Sequence, residues 1–130
     1  MKILIVEDEA LVAMNIENVL VDHGHSVVEI ADDEASAILA ATHFRPDLAL
    51  VDMRLAGGDS GLRVAQKLQS MGIAIVFATG NCPGRVPENL AIGCLHKPLS
   101  DEHIVAGVSL ADAVRQRSAS TPPPTGMHLF

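Results

Sequence analysis

The sequence is poor in aromatic residues and in positive charge. It has no Trp, no Tyr and three Phe, so its core must be built from aliphatic side chains. Nine Lys and Arg residues face sixteen Asp and Glu residues, which gives a formal net charge of −7. Non-specific nucleic-acid binding depends on cations that neutralise phosphates. The charge balance therefore argues against direct binding to nucleic acid.

Targeting and metal-cluster signals are also lacking. The two cysteines, Cys82 and Cys94, have no metal-site spacing, and we expect small free thiols rather than a redox-active pair. Glu7, Asp8 and Glu9 are the opposite of the basic start of a secretory signal. No apolar run approaches the length of a membrane span. We expect one soluble, cytoplasmic domain without membrane contact.

Short apolar runs alternate with helical stripes along the chain. The first run, Ile3-Leu4-Ile5-Val6, is β-branched at three of four positions and is typical of a strand buried on both faces. Similar runs predict strands near residues 26–30, 48–51, 73–79 and 94–96. Five strands alternating with helices predict a parallel α/β sheet with right-handed crossovers.

Helical periodicity and capping residues predict the elements between the strands. The expected inward-facing residues are Val12, Ile16, Val19 and Leu20, then Ala35, Ile38 and Leu39 after a cap at Asp32 or Asp33, then Leu62, Ala65 and Leu68, and finally Ile104, Val108 and Ala111 after a cap at Ser100. Residues 81–87 are rich in Gly and Pro, which leaves room for one short helix at most before the fifth strand.

The composition changes near Arg117 to Ser, Thr, Pro and Gly, with three consecutive prolines at 122–124. Such a stretch cannot bury a core. We expect a folded domain over residues 1–116, and a disordered tail or truncated linker over residues 117–130.

Polar side chains follow four of the predicted strands. Glu7 and Asp8 come after the first strand, Asp52 ends the third, Thr79 ends the fourth and Lys97 follows the fifth. Ligands bind beyond the carboxyl ends of strands in such sheets. The sequence therefore predicts that these five side chains meet in one site.

Close carboxylates repel one another, at a cost of about 4 kcal/mol per close pair at an effective dielectric near 20. A hard divalent cation relieves this, and Mg²⁺ (or Mn²⁺) suits carboxylates combined with phosphate. Asp52 is central and can act as a nucleophile that forms an aspartyl phosphate. Thr79 offers a hydroxyl donor, and Lys97 can stabilise charge on the transferring group.

Four motifs together resemble the response-regulator receiver domain over residues 1–116. They are the segments 3–9 (ILIVEDE), 46–52 (PDLALVD), 78–80 (ATG) and 97–98 (KP). The resemblance implies a flavodoxin-like (CheY-like), doubly wound, five-stranded parallel sheet of order 2-1-3-4-5. It also implies a cis peptide between Lys97 and Pro98, a conformation essentially confined to X–Pro bonds.

The same resemblance implies the roles of the site residues and the partners. Mg²⁺ would be held by Asp8, Asp52 and the backbone carbonyl of Arg54, with Glu7 assisting. Asp52 would accept phosphate from a histidine kinase or a histidine phosphotransfer protein. We expect a single-domain receiver that switches the binding of a protein partner, including a second copy of itself, without a DNA-binding output.

One departure from the family concerns the switch. Receivers commonly carry Tyr or Phe three residues before the lysine, where this chain has Cys94. The run Phe77-Ala78-Thr79-Gly80 resembles an alphaproteobacterial subgroup named for that motif, although Asn81 and Cys82 differ from it. We expect Cys94 to be a small packing residue. The signal would then pass from Thr79 through Gly80 and the following backbone to the region of Pro98, with residues 80–90 mobile at rest.

Three alternatives remain open beside this interpretation. A degenerate receiver would act only as a docking module. A phosphatase with an aspartyl nucleophile needs a second acid two residues after the nucleophile, where this chain has Arg54. A flavin carrier would want Tyr or Trp for stacking, and both are absent. We expect no enzymatic activity beyond the protein's own phosphorylation and dephosphorylation.

Overall fold

A computed structural model describes residues 1–116 and 126–130 of the chain. Strands and helices alternate as the apolar pattern predicts, except that no helix lies between the fourth and fifth strands. The elements are β1 (Lys2–Val6), α1 (Ala10–Asp22), β2 (Ser26–Ala31), α2 (Glu34–Phe44), β3 (Leu48–Val51), a 3₁₀ turn (Ala56–Gly58), α3 (Gly61–Ser70), β4 (Ala74–Thr79), β5 (Gly93–His96), α4 (Asp101–Arg115) and β6 (Met127–Leu129). No helix within the described ranges has the length and apolar character of a membrane span.

The sheet has the expected doubly wound order with one addition. Its strands lie in the order β2-β1-β3-β4-β5-β6, and the first five are parallel. The sixth strand pairs antiparallel with β5, so the expectation of five strands is one short. Part of the expected disordered tail, residues 127–129, is thus a strand that gains its hydrogen bonds from the edge of β5. Residues 117–125 of that tail lie outside the described residues.

Two helical layers cover the sheet. The helices α1 and α4 lie on one face and α2 and α3 on the other, and β1 contributes to both: Ile3 and Ile5 point to the first face, Leu4 and Val6 to the second. Strand side chains alternate between faces, so a strand covered on both sides is apolar throughout.

The inward face of α2 differs from the prediction. Its buried residues are Ala37, Ala40 and Ala41, whereas Leu39 is 72% exposed and Ala35 is also exposed. The helix is apolar on nearly every side, so periodicity alone could not select the buried stripe. The predicted caps at Asp33 and Ser100 are confirmed by side-chain hydrogen bonds to the first turns of α2 and α4.

The connection between β4 and β5 is the irregular part of the fold. Residues 80–92 form turns and bends without a helix, and we call this segment the β4–β5 loop. A disulfide joins Cys82 in the loop to Cys94 on β5, with the two Cα atoms 6.0 Å apart. The expectation of free thiols is therefore wrong. The two residues lie at a separation that a disulfide spans without backbone movement.

Candidate functional site

All five of the polar residues singled out in the sequence come to the carboxyl-terminal edge of the sheet. Glu7 and Asp8 follow β1, Asp52 follows β3, Thr79 ends β4 and Lys97 follows β5. Backbone hydrogen bonds continue the strand pairing into the site, from the N–H of Asp52 to the carbonyl of Val6 (2.9 Å) and from the N–H of Lys97 to the carbonyl of Thr79 (3.0 Å). The regular sheet thus places the side chains.

Burial distinguishes the members of this group. Glu7, Asp52 and Thr79 are the buried polar residues within the described ranges, at 3%, 8% and 5% exposure. Asp8 is exposed. Buried polar groups are retained in proteins when they are hydrogen-bonded or ion-paired. The partners of Glu7 and Asp52 therefore determine what this edge can do.

Lys97 is the cation shared by the two buried carboxylates. Its Nζ donates to Oδ2 of Asp52 at 2.9 Å and to Oε1 of Glu7 at 2.5 Å. The other oxygen of Glu7 accepts from the backbone N–H of Glu9 (3.2 Å), and Oδ1 of Asp52 accepts from the N–H of Met53 (2.7 Å). The pairing with Asp52 follows the sequence-based expectation. The shorter contact with Glu7 goes beyond that expectation, which gives Glu7 only a role at the metal.

The pKa values of Glu7, Asp52 and Lys97 are all shifted from their ordinary values, and those of the two carboxyl groups move in opposite directions. Burial raises the pKa of Glu7 to about 7, with Lys97 opposing the rise and the nearby Asp52 adding to it. Burial also tends to raise the pKa of Asp52, but the hydrogen bonds from Lys97 and Glu7 outweigh it and hold the value below its usual range. Burial lowers the pKa of Lys97, and its two carboxylate partners more than reverse this. Asp52 is therefore the ionised carboxylate at neutral pH.

The carboxylates form a set of oxygen donors suitable for a hard cation. One oxygen from each of Glu7, Asp8 and Asp52 lies within 4.8 Å of the others. Mg²⁺ prefers an octahedral set of oxygen ligands and keeps some of its water. Asp8 is the exposed member of this set, whereas Glu7 and Asp52 are buried and each has one oxygen bonded to Lys97.

The local backbone leaves a further oxygen beside this set. Arg54 forms an isolated antiparallel bridge with Ser60. That bridge is made by the N–H of Leu55 to the carbonyl of Asp59 and the N–H of Gly61 to the carbonyl of Met53. The carbonyl of Arg54 takes no part in these two bonds, which is compatible with its predicted role as a metal ligand.

Gly61 supports the site and was missed by the sequence analysis. It is the first residue of α3, and a Cβ there would overlap the carbonyl oxygen of Asp52 and crowd the Cα of Met53. Only glycine lets the helix start so close to the nucleophile's backbone. The available signal was a glycine directly after Ser60, whose side chain accepts from the backbone of Arg63 as a helix cap.

The predicted switch residues occupy the edge of the site and the loop beside it. The hydroxyl oxygen of Thr79 accepts from the backbone N–H of Asn81 at 3.4 Å. Gly80 begins the β4–β5 loop, and the expected cis peptide before Pro98 is present. The prediction that Cys94 is only a small packing residue is wrong, because its sulfur is covalently joined to Cys82.

Comparisons with known sequences agree with this geometry. A profile described as the response regulator receiver domain matches residues 3–109. The phyllosphere-induced regulator PhyR of Methylorubrum extorquens is 33% identical over 128 residues, covering 91% of this chain and 47% of that protein. The two-component response regulator PhoP of Pseudomonas aeruginosa is 37% identical over 113 residues, covering 82% and 49%. The chain spans about half the length of these relatives.

Solved structures extend the match to three dimensions. The response regulator PhyR from Brucella abortus has a TM-score of 0.80 at 30% identity, covering 90% of this chain and 49% of that chain. The signal receiver domain of a modulated diguanylate cyclase from Desulfovibrio desulfuricans G20 has a TM-score of 0.79 at 27% identity, covering 91% and 98%. The chain belongs to the response regulator receiver domain family of two-component signalling.

Proposed function

We propose that Asp52 is the phosphoacceptor of this receiver and that transfer requires Mg²⁺ or Mn²⁺. The observation that carries the proposal is the arrangement around Asp52: its pKa is held low, Lys97 is bonded to one oxygen, and Asp8 is close enough to share a cation with it. The ionised carboxylate can act as a nucleophile, and the fixed cation beside it can neutralise charge on an incoming phosphoryl group.

The chemistry assigned to the residues is phosphoryl transfer from a phosphohistidine donor. A carboxylate oxygen of Asp52 forms a bond to phosphorus while the bond between phosphorus and the donor's imidazole nitrogen breaks, and that nitrogen keeps the electron pair. Lys97 then neutralises charge on the phosphoryl oxygens. Thr79, whose hydroxyl is held at rest by Asn81, donates to a phosphoryl oxygen in a charge-assisted hydrogen bond.

The divalent ion would be held by Asp8, Asp52 and the carbonyl of Arg54, and it would supply positive charge to the transferring group. Glu7 is better described as the buried partner of Lys97, with a carboxyl that titrates near neutrality. It keeps the ammonium at the site after the charge on Asp52 has been converted to an acyl phosphate.

The expected partners are a histidine kinase or a histidine phosphotransfer protein as donor, and a protein whose binding the phosphorylated form changes. We place these events in the cytoplasm. PhyR from Bartonella quintana, known from two solved structures, is called an anti-anti-sigma factor. The chain covers only about half of each of those proteins. A role in the control of a sigma factor is therefore a more specific hypothesis for this chain than phosphorylation-dependent partner binding.

The alternative of a hydrolytic enzyme with an aspartyl nucleophile finds less support. Such an enzyme needs a carboxylic acid two residues after the nucleophile. This chain has Arg54 there, which is exposed and has no carboxyl group to serve as a general acid. A docking module without phosphorylation would not need a low-pKa carboxylate bonded to a partly buried lysine.

The test is intact-protein mass spectrometry after incubation with acetyl phosphate and Mg²⁺. The wild type should gain one phosphoryl group, which Asp52→Asn or chelation of the metal should abolish, and Asp8→Ala should slow. Asp22→Asn, a change of the same chemistry at an exposed position at the end of α1, is the matched control and should behave as wild type. Undiminished phosphorylation of Asp52→Asn would show that the acceptor has been misassigned.

A further inference from the structure

We propose that the Cys82–Cys94 disulfide is a reversible redox site that opposes activation of this receiver. The inference rests on the proposed function, since it links thiol chemistry to occupancy of the phosphoacceptor site. In the cytoplasm, where we place the protein, disulfides are usually transient, catalytic or redox-sensing rather than structural. The position of this one in the fold indicates which property it would control.

The crosslink lies between two residues of the phosphoacceptor site. Cys82 comes three residues after Thr79 and Cys94 comes three residues before Lys97. In the sheet, Thr79 pairs with His96 and Phe77 pairs with Cys94, so Cys94 lies two residue pairs below the site. A bond between Cys82 and Cys94 therefore ties the backbone leaving Thr79 to the strand that leads to Lys97.

The crosslink also determines what the β4–β5 loop can do. No residue of the loop is in a helix. Leu90 is buried, and Cys82, Val86 and Ala91 pack half-buried against the core on the α2/α3 face. An irregular segment in which many residues are exposed belongs to the low-stability part of a protein. The covalent bond holds the start of the loop, where four of the six residues 80–85 are exposed.

The loop's resting position opposes the movement of Thr79. The N–H of Asn81 donates to the Thr79 hydroxyl oxygen, and Asn81 is the residue next to the crosslinked Cys82. When Thr79 turns toward a phosphoryl group, this contact is given up, and the backbone at Asn81 is freed to rearrange. With the disulfide closed that rearrangement is restricted, and with the disulfide open it is not.

The exchange step is an ordinary thiol–disulfide reaction with a dithiol reductant. A thiolate of the reductant attacks the sulfur of Cys82, the bond to Cys94 breaks, and the Cys94 sulfur leaves with the electron pair and takes a proton. The second thiolate of the reductant then attacks the reductant's other sulfur, the one bonded to Cys82, and the Cys82 sulfur leaves and takes a proton. The protein gains two electrons and two protons, and the reductant becomes a disulfide.

Burial indicates which sulfur is attacked. Cys94 is fully buried and is covered on one side by β6, where it pairs with His128. Cys82 is only half-buried. Access is one of the factors that select the reacting sulfur in thiol–disulfide exchange, so Cys82 should form the mixed disulfide.

Thermodynamic linkage makes the effect reciprocal and measurable. If the closed disulfide disfavours the phosphorylated conformation, then occupancy of the phosphoryl site must favour reduction by the same factor. We expect a factor of about fivefold or more, the lower end of typical couplings between sites.

The experiment uses the full chain, mixtures of reduced and oxidised dithiothreitol, and beryllofluoride with Mg²⁺ as the phosphoryl mimic. Alkylation and mass spectrometry give the dithiothreitol ratio at which half of the protein is reduced. Beryllofluoride should shift that ratio toward easier reduction by about fivefold or more, and the reduced protein should bind beryllofluoride more tightly than the oxidised protein by the same factor.

Variants separate this inference from the proposed function. Cys82→Ser should bind beryllofluoride like the reduced wild type and should not respond to dithiothreitol. Asp52→Asn should keep the disulfide but lose the shift. If the wild type binds beryllofluoride equally well in both redox states, with an unmoved half-reduction ratio, the redox inference is wrong and the proposed function stands. If the wild type fails to bind beryllofluoride at all, both are wrong.

Discussion

The acidic edge of the sheet and the β4–β5 loop beside it are built in different ways. At the edge, each side chain is placed by a strand whose backbone bonds run directly into the site, such as Asp52 to Val6 and Lys97 to Thr79. In the loop, no helix or strand holds the chain, which is attached by the buried Leu90 and by the bond between Cys82 and Cys94. The proposed chemistry thus lies on residues held by the sheet, and the loop, which no helix or strand holds, lies next to them.

The largest effect should come from removing Lys97, the cation shared by the two buried carboxylates. In Lys97→Met the Glu7 and Asp52 carboxylates lose their common partner, so burial should raise the pKa of Asp52 and lower its nucleophilicity. We expect phosphorylation by acetyl phosphate to slow about 100-fold, the lower end of the cost of removing one electrostatic stabiliser. The measurement is the rate of mass gain at saturating Mg²⁺.

The control for that change is Lys67→Met on α3, whose lysine is exposed and paired with Glu34 on the protein surface. It should phosphorylate at the wild-type rate. Metal affinity, followed by Mg²⁺ titration, should change much less in Lys97→Met than the rate does. Equal losses in both would mean that Lys97 acts by maintaining the site's structure.

A smaller effect should follow from opening the covalent bond of the loop. Closing a loop of this length with a disulfide contributes about 2–3 kcal/mol in the chain-entropy account, and Cys82 and Cys94 are separated by 12 positions. Cys82→Ser should lower the free energy of urea unfolding by about that amount relative to the oxidised wild type. Reduced wild type should fall to the same stability.

Hydrogen exchange should show where that stability is lost. Amides of residues 80–92 should exchange faster in Cys82→Ser, while amides of β1 and β3 should be affected only through global unfolding. If amide exchange became uniformly faster across the sheet while global stability stayed constant, the loop and the acidic edge of the sheet would not be independent.

The smallest effect concerns β6, the strand that pairs with β5 beside Cys94. A Cβ at Gly93 would meet the carbonyl oxygen of His128 at 2.5 Å, so Gly93→Ala should push β6 away from β5. We expect a loss of about 1 kcal/mol, within the ordinary range for single substitutions. The direct measurement is faster exchange of the Phe130 amide, which bonds to the carbonyl of Ile92.

Gly84→Ala is the matched control, because a Cβ at that exposed loop position meets nothing within 4 Å. It should leave β6 protected. If Gly93→Ala is also silent, the pairing between β5 and β6 contributes nothing to stability. If Gly93→Ala increases reduction of the disulfide by dithiothreitol, β6 shields Cys94 as its burial indicates.

The sequence by itself determined the acidic edge of the sheet. Apolar runs predicted five parallel strands, and the residues directly after them had to meet because parallel strands end at a common edge. The order 2-1-3-4-5, which the structure shows with a sixth strand added, was implied by the resemblance to receiver domains. The meeting of the acidic group, its lysine and its threonine follows from the alternation of strands and helices. Each of these features depends on residues that are neighbours in the chain or on a periodicity that a short window reveals.

Only the tertiary structure decided the rest. The disulfide requires Cys82 and Cys94 to approach, and β6 requires residues 127–129 to reach the edge of β5. Gly61 is needed because α3 begins against the backbone of Asp52. These features depend on distances between segments remote in sequence, and no local propensity or period encodes such a distance.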